Sequence, residues 1–415
     1  MEYGLLGEKL GHSYSPLIHR VMGDYDYRLY PVGPEELKRI LTEKRFRGLN
    51  VTIPYKQTVL PYCDEISDAV RRIGSANTLV VKDGRIAAYN TDLAGFLTML
   101  RAAGISLAGK KAVILGSGGT SLTARAACQT EGARETVVVS RSGPVDYAAL
   151  YRSHTDAEVL INATPVGMYP NNLVSPVDLS RFPRLCGAAD VIYNPARTAL
   201  VLDARERGIP CGDALVMLSA QAYYAAQLFL GKDLPESKIR QACAAVRRET
   251  QNLVLVGMPG SGKTTLGKEI ADRMGRQFVD LDAEIEKAAG QSIPQIFAQR
   301  GEAAFRQMEA EAAADAGKRS GLVIAPGGGA VLRRGNVRAF KQNGVICHVR
   351  RPVERLAMGG RPLSTGLDAL RKMEEARNPL YAACADFSID NDGAVNETAE
   401  KILEGFYEAL DPQRA

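Results

Sequence analysis

The stretch Glu249–Thr265, ETQNLVLVGMPGSGKTT, decides the fold of the second part of the chain. Its apolar run Leu253–Val256 predicts a buried parallel strand. That strand leads into Gly257–Thr264, which fits the phosphate-loop pattern G-x-x-x-x-G-K-[ST] at every fixed position. In such a loop, backbone N–H groups and the N-terminus of the following helix surround phosphate oxygens. A chance glycine turn is the alternative, but the strand before the loop and the helix after it favour a nucleotide site.

The polar residues of this loop and of the next strand end suit phosphate and metal chemistry. Lys263 can reach the β- and γ-phosphates, and the Thr264 hydroxyl can ligate Mg²⁺. Asp280 and Asp282 follow a predicted strand in FVDLDAEIE, and two carboxylates beside a phosphate loop suit metal and hydroxyl binding. The other nucleotide-binding residues that we expect in the loop are Gly260, Ser261, Gly262 and Thr265.

Length and composition indicate an ordinary globular protein of two or three domains. The chain has 415 residues, of which 46% are hydrophobic and 24% charged, with a net charge of +5. Residues 1–250 carry 30 basic and 25 acidic side chains, whereas residues 251–415 carry 22 of each. The basic excess is scattered, so we expect small anionic substrates and no nucleic acid.

The cysteines and the N-terminal residues indicate the compartment. The seven cysteines show no metal-ligand spacing, which is typical of reduced thiols. The start MEYGLLGEKLG has no basic and apolar leader pattern, and no run approaches 18 apolar residues. We therefore expect a cytoplasmic protein with no membrane partner, and the oligomeric state stays open.

Residues 1–95 alternate strand-like and helix-like segments, including a predicted helix around Glu65–Arg72, and so predict an α/β layer. Their polar residues cluster in the connections. Taken singly each cluster is unremarkable, since a Ser-x-Ser-Pro is more often a turn or a helix cap than a ligand site. The clusters are HSYSP (His12–Pro16), NVTIPYK (Asn50–Lys56), SANT (Ser75–Thr78) and NTD (Asn90–Asp92).

A second glycine turn predicts a dinucleotide site. KKAVILGSGGTSLTARAA reads as strand, turn and helix, and Gly116, Ser117, Gly118 and Gly119 form a variant of the dinucleotide fingerprint. The next strand ends in Ser140 and Arg141, where an NAD site usually has a carboxylate. An arginine flanked by hydroxyls suits a 2′-phosphate instead, so we expect NADP(H). The alternative is that Arg141 is only a solvated strand end.

Taken in order, these motifs resemble two known families. Residues 1–245 resemble shikimate dehydrogenase through HSYSP, NVTIPYK, SANT, NTDLAGF, GSGGTS, NATPVGM and a late Met-Leu-x-x-Gln. Residues 252–390 resemble shikimate kinase through GMPGSGKTT, FVDLDAEIE, GEAAFRQME, GGGA, RPL and RNPLY. The resemblance implies a bifunctional fusion of two consecutive steps, with NADP(H), ATP and Mg²⁺ as cofactors.

The dehydrogenase resemblance assigns roles in the first part. It implies that Ser13 and Ser15 hold the substrate carboxylate. Hydride addition to a ketone needs a proton donor, and a lysine with a carboxylate partner can supply one; a surface lysine is the alternative reading of Lys56. The residues implied around the ring hydroxyls are Thr52, Lys56, Asn77, Asp92 and Gln221, with Tyr193 nearby.

The kinase resemblance assigns roles in the second part. It implies that Arg306 and Arg377 clamp the substrate carboxylate, as planar bidentate donors can. Asp282 would accept from the reacting hydroxyl, and Gly328 would lie against the ring. Thr264 with Asp280 would hold Mg²⁺, and Arg361 would neutralise the charge of the transferring phosphoryl group.

The sequence therefore predicts two α/β units. The first would have a substrate lobe (residues 1–95 completed by 213–248) and a Rossmann-like NADP lobe (96–212), and the second would be a P-loop kinase (250–415). We expect about five linking residues between a helix ending near Arg247 and the strand at Leu253. Two alternatives stay open, namely an NAD-dependent quinate/shikimate dehydrogenase joined to the kinase, and a nucleotide-binding scaffold without turnover.

Overall fold

The computed structural model describes residues 2–11, 13–356 and 367–411. The chain forms two compact units, Met1–Val246 and Arg247–Ala415, and both are α/β. The predicted fold class is confirmed.

Two sheets organise the first unit. One has the strand order β2-β1-β3-β5-β6-β4 and mixes parallel with antiparallel pairs, and the other has the order β11-β10-β9-β7-β8 and is parallel throughout. The strands are β1 (Tyr3–Gly7), β2 (Tyr27–Pro31), β3 (Gly48–Val51), β4 (Glu65–Ile66), β5 (Thr78–Lys82), β6 (Arg85–Tyr89), β7 (Lys111–Leu115), β8 (Glu135–Val139), β9 (Val159–Asn162), β10 (Gly187–Asp190) and β11 (Cys211–Gly212).

Helices cover the faces of these sheets. They are α1 (Ser15–Met22), α2 (Pro34–Glu43), α3 (Asp68–Ile73), α4 (Asp92–Ala102), α5 (Gly119–Thr130), α6 (Tyr147–Ser153), α7 (Ala199–Glu206), α8 (Ala214–Leu230) and α9 (Ser237–Thr250). Helix α8, ALVMLSAQAYYAAQLFL, is apolar on nearly every face, as expected of a helix packed on several sides. It packs along α4 and also contacts α1, which brings Gln221 close to the start of α4.

The second unit is built on one parallel sheet of order β13-β14-β12-β15-β16. Strand β12, NLVLV, is buried along its length, as the apolar run predicts, and leads into the phosphate loop. The elements are β12 (Asn252–Val256), α10 (Lys263–Met274), β13 (Gln277–Asp280), α11 (Leu281–Ala289), α12 (Ile293–Lys318), β14 (Leu322–Ala325), α13 (Arg334–Asn343), β15 (Gly344–Arg350), α14 (Leu367–Cys384), β16 (Phe387–Asp390) and α15 (Val395–Leu410).

Two expectations about where elements begin and end are wrong. The helix predicted around Glu65–Arg72 begins only at Asp68, because Glu65 and Ile66 pair with β6 and Ser67 caps the helix by accepting from the Val70 N–H. The expected linker of about five residues is a single residue, Gln251. Helix α9 continues to Thr250, and the Gln251 N–H still donates to the Arg247 carbonyl at 2.9 Å.

Two further findings concern membrane-spanning segments and the cysteines. Within the part of the chain that the structure describes, no helix is both long and apolar enough to cross a membrane. The seven cysteines all lie in that part, and all are free thiols.

Candidate active sites

A cavity of about 200 Å³ lies in the first unit. All eight residues that the sequence predicts around the dehydrogenase substrate line it, although they come from six separate segments of the chain. They are Ser13, Ser15, Thr52, Lys56, Asn77, Asp92, Tyr193 and Gln221.

A hydrogen-bonded network joins the polar residues of this cavity. Lys56 Nζ donates to Asp92 Oδ2 at 2.6 Å, and the Asn77 amide donates to Asp92 Oδ1 at 2.8 Å. Asp92 is the first residue of α4, so the helix N-terminus favours its negative charge. The side chains of Lys56 and Asp92 are 30% and 15% exposed, so the pair can exchange protons with water. The network can therefore hold a proton beside a ligand and replace it after transfer.

Gln221 and the two serines complete the polar lining. The Asn77 amide also donates to Gln221 Oε1 at 3.3 Å, which links the start of α4 with α8. Ser13 Oγ donates to Ser15 Oγ at 3.1 Å and accepts from the Ser15 N–H, so two hydroxyls converge at the start of α1. Paired hydroxyls of this kind can donate to a carboxylate.

Asn50 also lines the cavity, although sequence reasoning did not single it out. Its Oδ1 accepts from the Tyr27 hydroxyl at 2.8 Å, and its amide donates to Thr78 Oγ1 at 3.1 Å, so both ends of the side chain are fixed. Its place as the first residue of NVTIPYK, ahead of Thr52 and Lys56, was the available signal. Of its two partners, Thr78 is the last residue of the SANT cluster, whereas Tyr27 on β2 carries no such signal.

The second glycine turn forms an open cradle at the start of α5. Gly116 has a φ of 104°, and a Cβ there would lie 2.9 Å from the Ala163 carbonyl oxygen, so the turn needs glycine. A Cβ on Gly118 or Gly119 would meet nothing within 4 Å, so their backbone faces open space. Ser117 is exposed beside them. The turn can therefore admit a pyrophosphate onto the helix N-terminus.

The residues after β8 fit the 2′-phosphate prediction. Ser140 is 9% exposed, while Arg141 is exposed and has no ion pair within the described residues. A guanidinium free at the end of this strand can bind a phosphate bidentately. The NADP(H) site on Ser140 and Arg141 stays a prediction, and the exposed Arg141 guanidinium is consistent with it.

The buried carboxylate of Asp190 accepts hydrogen bonds from three groups near the strand ends beside the cavity. It accepts from the Asn162 amide at 3.1 Å, from the Thr198 hydroxyl at 2.7 Å and from the Ile192 N–H at 3.0 Å. Burial raises the pKa of Asp190 to about 6, although these hydrogen bonds oppose the shift. Asp190 thereby anchors the segment that carries Tyr193.

Three glycines of the phosphate loop in the second unit have positive φ angles. Gly257, Gly260 and Gly262 have φ values of 149°, 82° and 98°, which side-chain-bearing residues rarely adopt. Lys263 Nζ donates to the carbonyls of Gly257 and Met258 at 2.9 and 3.0 Å, which holds the ammonium over the loop.

The other loop residues differ in exposure. Ser261 is fully buried and its hydroxyl has no hydrogen-bond partner within the described residues, whereas Thr265 is exposed.

The predicted metal ligands contact each other. Thr264 Oγ1 donates to Asp280 Oδ2 at 2.9 Å, and Asp280 Oδ1 accepts from the Asp282 N–H at 3.1 Å. A hydroxyl and one carboxylate beside a phosphate loop are the oxygen donors that Mg²⁺ uses, with substrate phosphates and water completing the shell. The residues fit the ion.

The glycine-rich turn after β14 brings two of the remaining predicted kinase residues together. A Cβ on Gly327 would lie 2.6 Å from Asp282 Oδ1. A Cβ on Gly329 would overlap the Arg306 guanidinium. Asp282 and Arg306 therefore lie against the same turn, on glycines that flank Gly328.

Tyr381 connects this turn with Arg377. The Gly328 carbonyl accepts from the Tyr381 hydroxyl. Burial raises the pKa of Tyr381 to about 12, and the positive charge of Arg377 beside it opposes the shift. The four predicted residues Asp282, Arg306, Gly328 and Arg377 are thus gathered around one turn.

Arg306 and Arg377 belong to a charged group that sequence reasoning did not anticipate. Arg306 Nη1 donates to Glu309 Oε2 at 3.0 Å, and Arg306 Nη2 donates to Glu302 Oε1 at 3.0 Å. Burial raises the pKa of Glu309, while the positive charges of Arg306 and Arg377 oppose the shift. The i,i+3 spacing of Arg306 and Glu309 was the available signal. Arg361 lies outside the described residues.

Comparisons with known proteins support both halves of this picture. A family model for the shikimate dehydrogenase substrate-binding domain matches residues 5–79, and one for shikimate kinase matches residues 259–406. A protein of Clostridium perfringens named shikimate dehydrogenase (NADP+) is 34% identical over 255 residues, which are 57% of this chain and 94% of that protein. Another of that name, from Caldicellulosiruptor bescii, is 35% identical over 54% of this chain and 88% of its own length.

Solved structures also match the N-terminal part of the chain. The shikimate 5-dehydrogenase of Thermus thermophilus, in complex with NADP(H) and shikimate, matches with a TM-score of 0.54 and 31% identity, over 60% of this chain and 99% of that one. A chorismate mutase/shikimate 5-dehydrogenase fusion protein of Clostridium acetobutylicum matches with a TM-score of 0.55 and 33% identity, over 58% of this chain and 95% of that one. The chain therefore belongs to the shikimate dehydrogenase family over its N-terminal half, and it carries a shikimate kinase domain in its C-terminal half.

Proposed function

We propose that this protein catalyses two consecutive steps, the NADPH-dependent reduction of 3-dehydroshikimate to shikimate and the ATP-dependent phosphorylation of shikimate to shikimate 3-phosphate. The observation that carries the proposal is the convergence on one cavity of eight residues from six segments of the chain, beside a dinucleotide-type turn. In the second unit, the proposal is supported by the phosphate loop, where Lys263 donates to the Gly257 carbonyl and Thr264 donates to Asp280.

The first reaction uses the cavity of the first unit. NADPH supplies the hydride when it is bound on Gly116, Ser117, Gly118 and Gly119. Ser13 and Ser15 donate hydrogen bonds to the substrate carboxylate, and the ring hydroxyls meet Thr52, Asn77 and Gln221 near Tyr193. These contacts fix the ring so that the ketone oxygen faces Lys56.

Lys56 then provides the proton. Its ammonium stabilises the alkoxide as negative charge develops on the ketone oxygen and donates the proton to it. Asp92, held 2.6 Å away, stabilises the charged lysine before transfer and helps it regain a proton from water afterwards. In the reverse direction the same pair removes the proton.

The second reaction uses the phosphate loop. Gly260, Ser261, Gly262 and Thr265 bind the nucleotide phosphates, and Lys263 neutralises the negative charge that moves with the transferred group. Thr264 and Asp280 would hold Mg²⁺, which would supply positive charge to neutralise the phosphates. Arg361 is proposed to neutralise the same phosphoryl group.

The shikimate side of the kinase site is the turn after β14. Arg306 and Arg377 bind the carboxylate, and Gly328 lies against the ring where a side chain would exclude it. Asp282 accepts a hydrogen bond from the reacting hydroxyl and takes its proton as the hydroxyl oxygen bonds to the γ-phosphorus and the bond from that phosphorus to ADP breaks, so that ADP leaves.

We also propose the finer organisation. Residues 1–95 with 213–248 form the substrate lobe, residues 96–212 the NADP lobe and residues 250–415 the kinase domain. Free thiols on all seven cysteines support a reducing, cytoplasmic location.

One coupled assay tests the function. Purified protein is given 3-dehydroshikimate, NADPH and Mg-ATP, and both the loss of NADPH and the formation of shikimate 3-phosphate are followed. We expect both, with quinate and NAD⁺ in the reverse assay much poorer than shikimate and NADP⁺. Nucleotide binding without either product would show a scaffold instead, and a preference for quinate with NAD⁺ would show the other dehydrogenase.

A further inference from the structure

Two consecutive arginines at the end of β15 have contrasting surroundings. Arg350 is the last residue of the strand, and its guanidinium makes a bidentate pair with Asp390 on β16, with both contacts at 2.8 Å. Arg351 follows it, where successive side chains leave a strand in opposite directions. Within the described residues, Arg351 makes no hydrogen bond and no ion pair, and its Nε atom is buried without a partner.

Arg351 lies against the phosphate loop. Its Nη1 atom is 3.8 Å from the point where a Cβ on Gly262 would stand. The same point overlaps the amide of Asn391, which donates to the Ser261 carbonyl at 2.7 Å. Strand β15 pairs with β12, and the loop leaves the carboxyl end of β12, so the sheet order itself puts Arg351 beside the loop.

A buried guanidinium nitrogen without an acceptor is costly, because its lost hydration is not replaced. The positive charge of Lys263, which lies over the same loop, repels the Arg351 guanidinium and adds to this cost. The nearby carboxylate of Asp390 is already engaged by Arg350 on both of its oxygens. An anion bound at the loop would remove both penalties.

We propose that Arg351 is a nucleotide-binding residue that contacts the phosphates which remain on ADP after transfer. This inference rests on the proposed kinase function and adds a residue to its ATP site. Lys263 and Thr264 serve the β- and γ-phosphates and the metal, whereas the backbone around Gly262 cradles the α- and β-phosphates. Because Arg351 lies at Gly262, it stabilises ATP and ADP alike and contributes nothing special to the transition state.

The test compares ADP and ATP in matched variants. Arg351→Ala should weaken Mg-ADP binding, measured by titration calorimetry, by about tenfold, and should raise the KM for ATP by a similar factor. The kcat for shikimate phosphorylation at saturating ATP should stay within about twofold, as expected when only uniform binding is lost. Arg351→Lys should recover part of the affinity, because it keeps the charge without the planar fork.

Arg350→Ala is the control, because it removes the same charge one residue away and should leave ADP binding unchanged. Thermal unfolding of each variant verifies that the second unit is folded. Unchanged ADP affinity in folded Arg351→Ala overturns the inference. So does an equal loss in Arg350→Ala, or a fall in kcat at unaltered affinity.

The wild-type protein separates this inference from the proposed function. Wild-type protein that binds ADP but makes no shikimate 3-phosphate would overturn the function and leave the role of Arg351 to the binding data. Wild-type protein that binds no ADP would overturn both.

Discussion

Arg141 is the residue on which cofactor choice depends in the first unit. Its exposed guanidinium follows β8 beside Ser140 and has no ion pair in the described chain. We predict that Arg141→Ala weakens the use of NADPH by about tenfold, which is the value of one charged hydrogen bond at the lower end of the usual range. NADH has no 2′-phosphate, so its use should hardly change. Steady-state kinetics with both cofactors measure the ratio, and equal losses would show that Arg141 serves the fold.

Asp190 should give the first unit an unusual dependence on pH. Burial raises its pKa to about 6, above the ordinary value near 3.9, so the folded state holds this proton more tightly than the unfolded state. The stabilisation is complete below about pH 4 and is lost as the pH rises through about 6. Two pKa units correspond to about 2–3 kcal/mol.

The measurement is urea unfolding of wild type and Asp190→Asn between about pH 4 and pH 7. Hydrogen exchange of peptides from β9 and β10 reports on the first unit. The free energy of unfolding of wild type should fall relative to the variant as the pH rises, because asparagine does not titrate. Parallel curves would contradict the raised pKa. The comparison with the variant is needed because Asp64 and Glu158 have lowered pKa values, for which stability changes in the opposite direction.

Among the helices and strands, the contact between α4 and α8 is the one that positions polar residues of the first site. A Cβ on Gly95 would lie 2.7 Å from the Met217 carbonyl oxygen and 3.0 Å from Gln221 Cβ, so the helices touch through this glycine. Asp92 begins α4 and Gln221 lies on α8, so separating the helices separates two groups of one network.

We predict that Gly95→Ala destabilises the first unit by about 1–3 kcal/mol through overpacking. It should also lower dehydrogenase kcat/KM by at least about tenfold, because small misplacements of catalytic groups are costly. Gly335→Ala is a suitable control, since that glycine is also helical and a Cβ there meets nothing within 4 Å. Full dehydrogenase activity in Gly95→Ala would show that the helices can separate without harm.

The sequence predicts an element correctly where the residues of that element carry the signal themselves. The apolar run of β12 and the glycine turns before α5 and α10 each carry their own signal, and all three form as expected. The sequence predicts a helix around Glu65–Arg72, but Glu65 and Ile66 form a strand because they pair with Ala87 and Ala88. Asn50, Glu309 and Arg351 were missed for a related reason, since their importance depends on partners or neighbours brought close by the fold.

For the whole molecule, the central expectation is that the two reactions are chemically independent. The hydrogen bonds described above for each site join residues of the same unit. Asp92→Asn should abolish most dehydrogenase activity and leave phosphorylation of supplied shikimate within about twofold, as for uncoupled distant sites. Lys263→Ala should do the reverse. If either substitution abolished both activities in a folded protein, two separate sites would be the wrong description.

The junction at Gln251 has a consequence for the fate of the protein in the cell. Proteases cut extended, exposed segments most readily, and between α9 and β12 there is one residue, 7% exposed. Ile239 and Val246 of α9 are buried in the first unit, and β12 is the central strand of the second. A protease therefore finds no exposed, extended segment to cut at Gln251. We expect the two activities to persist and to be degraded together, in a fixed one-to-one ratio throughout the life of the chain.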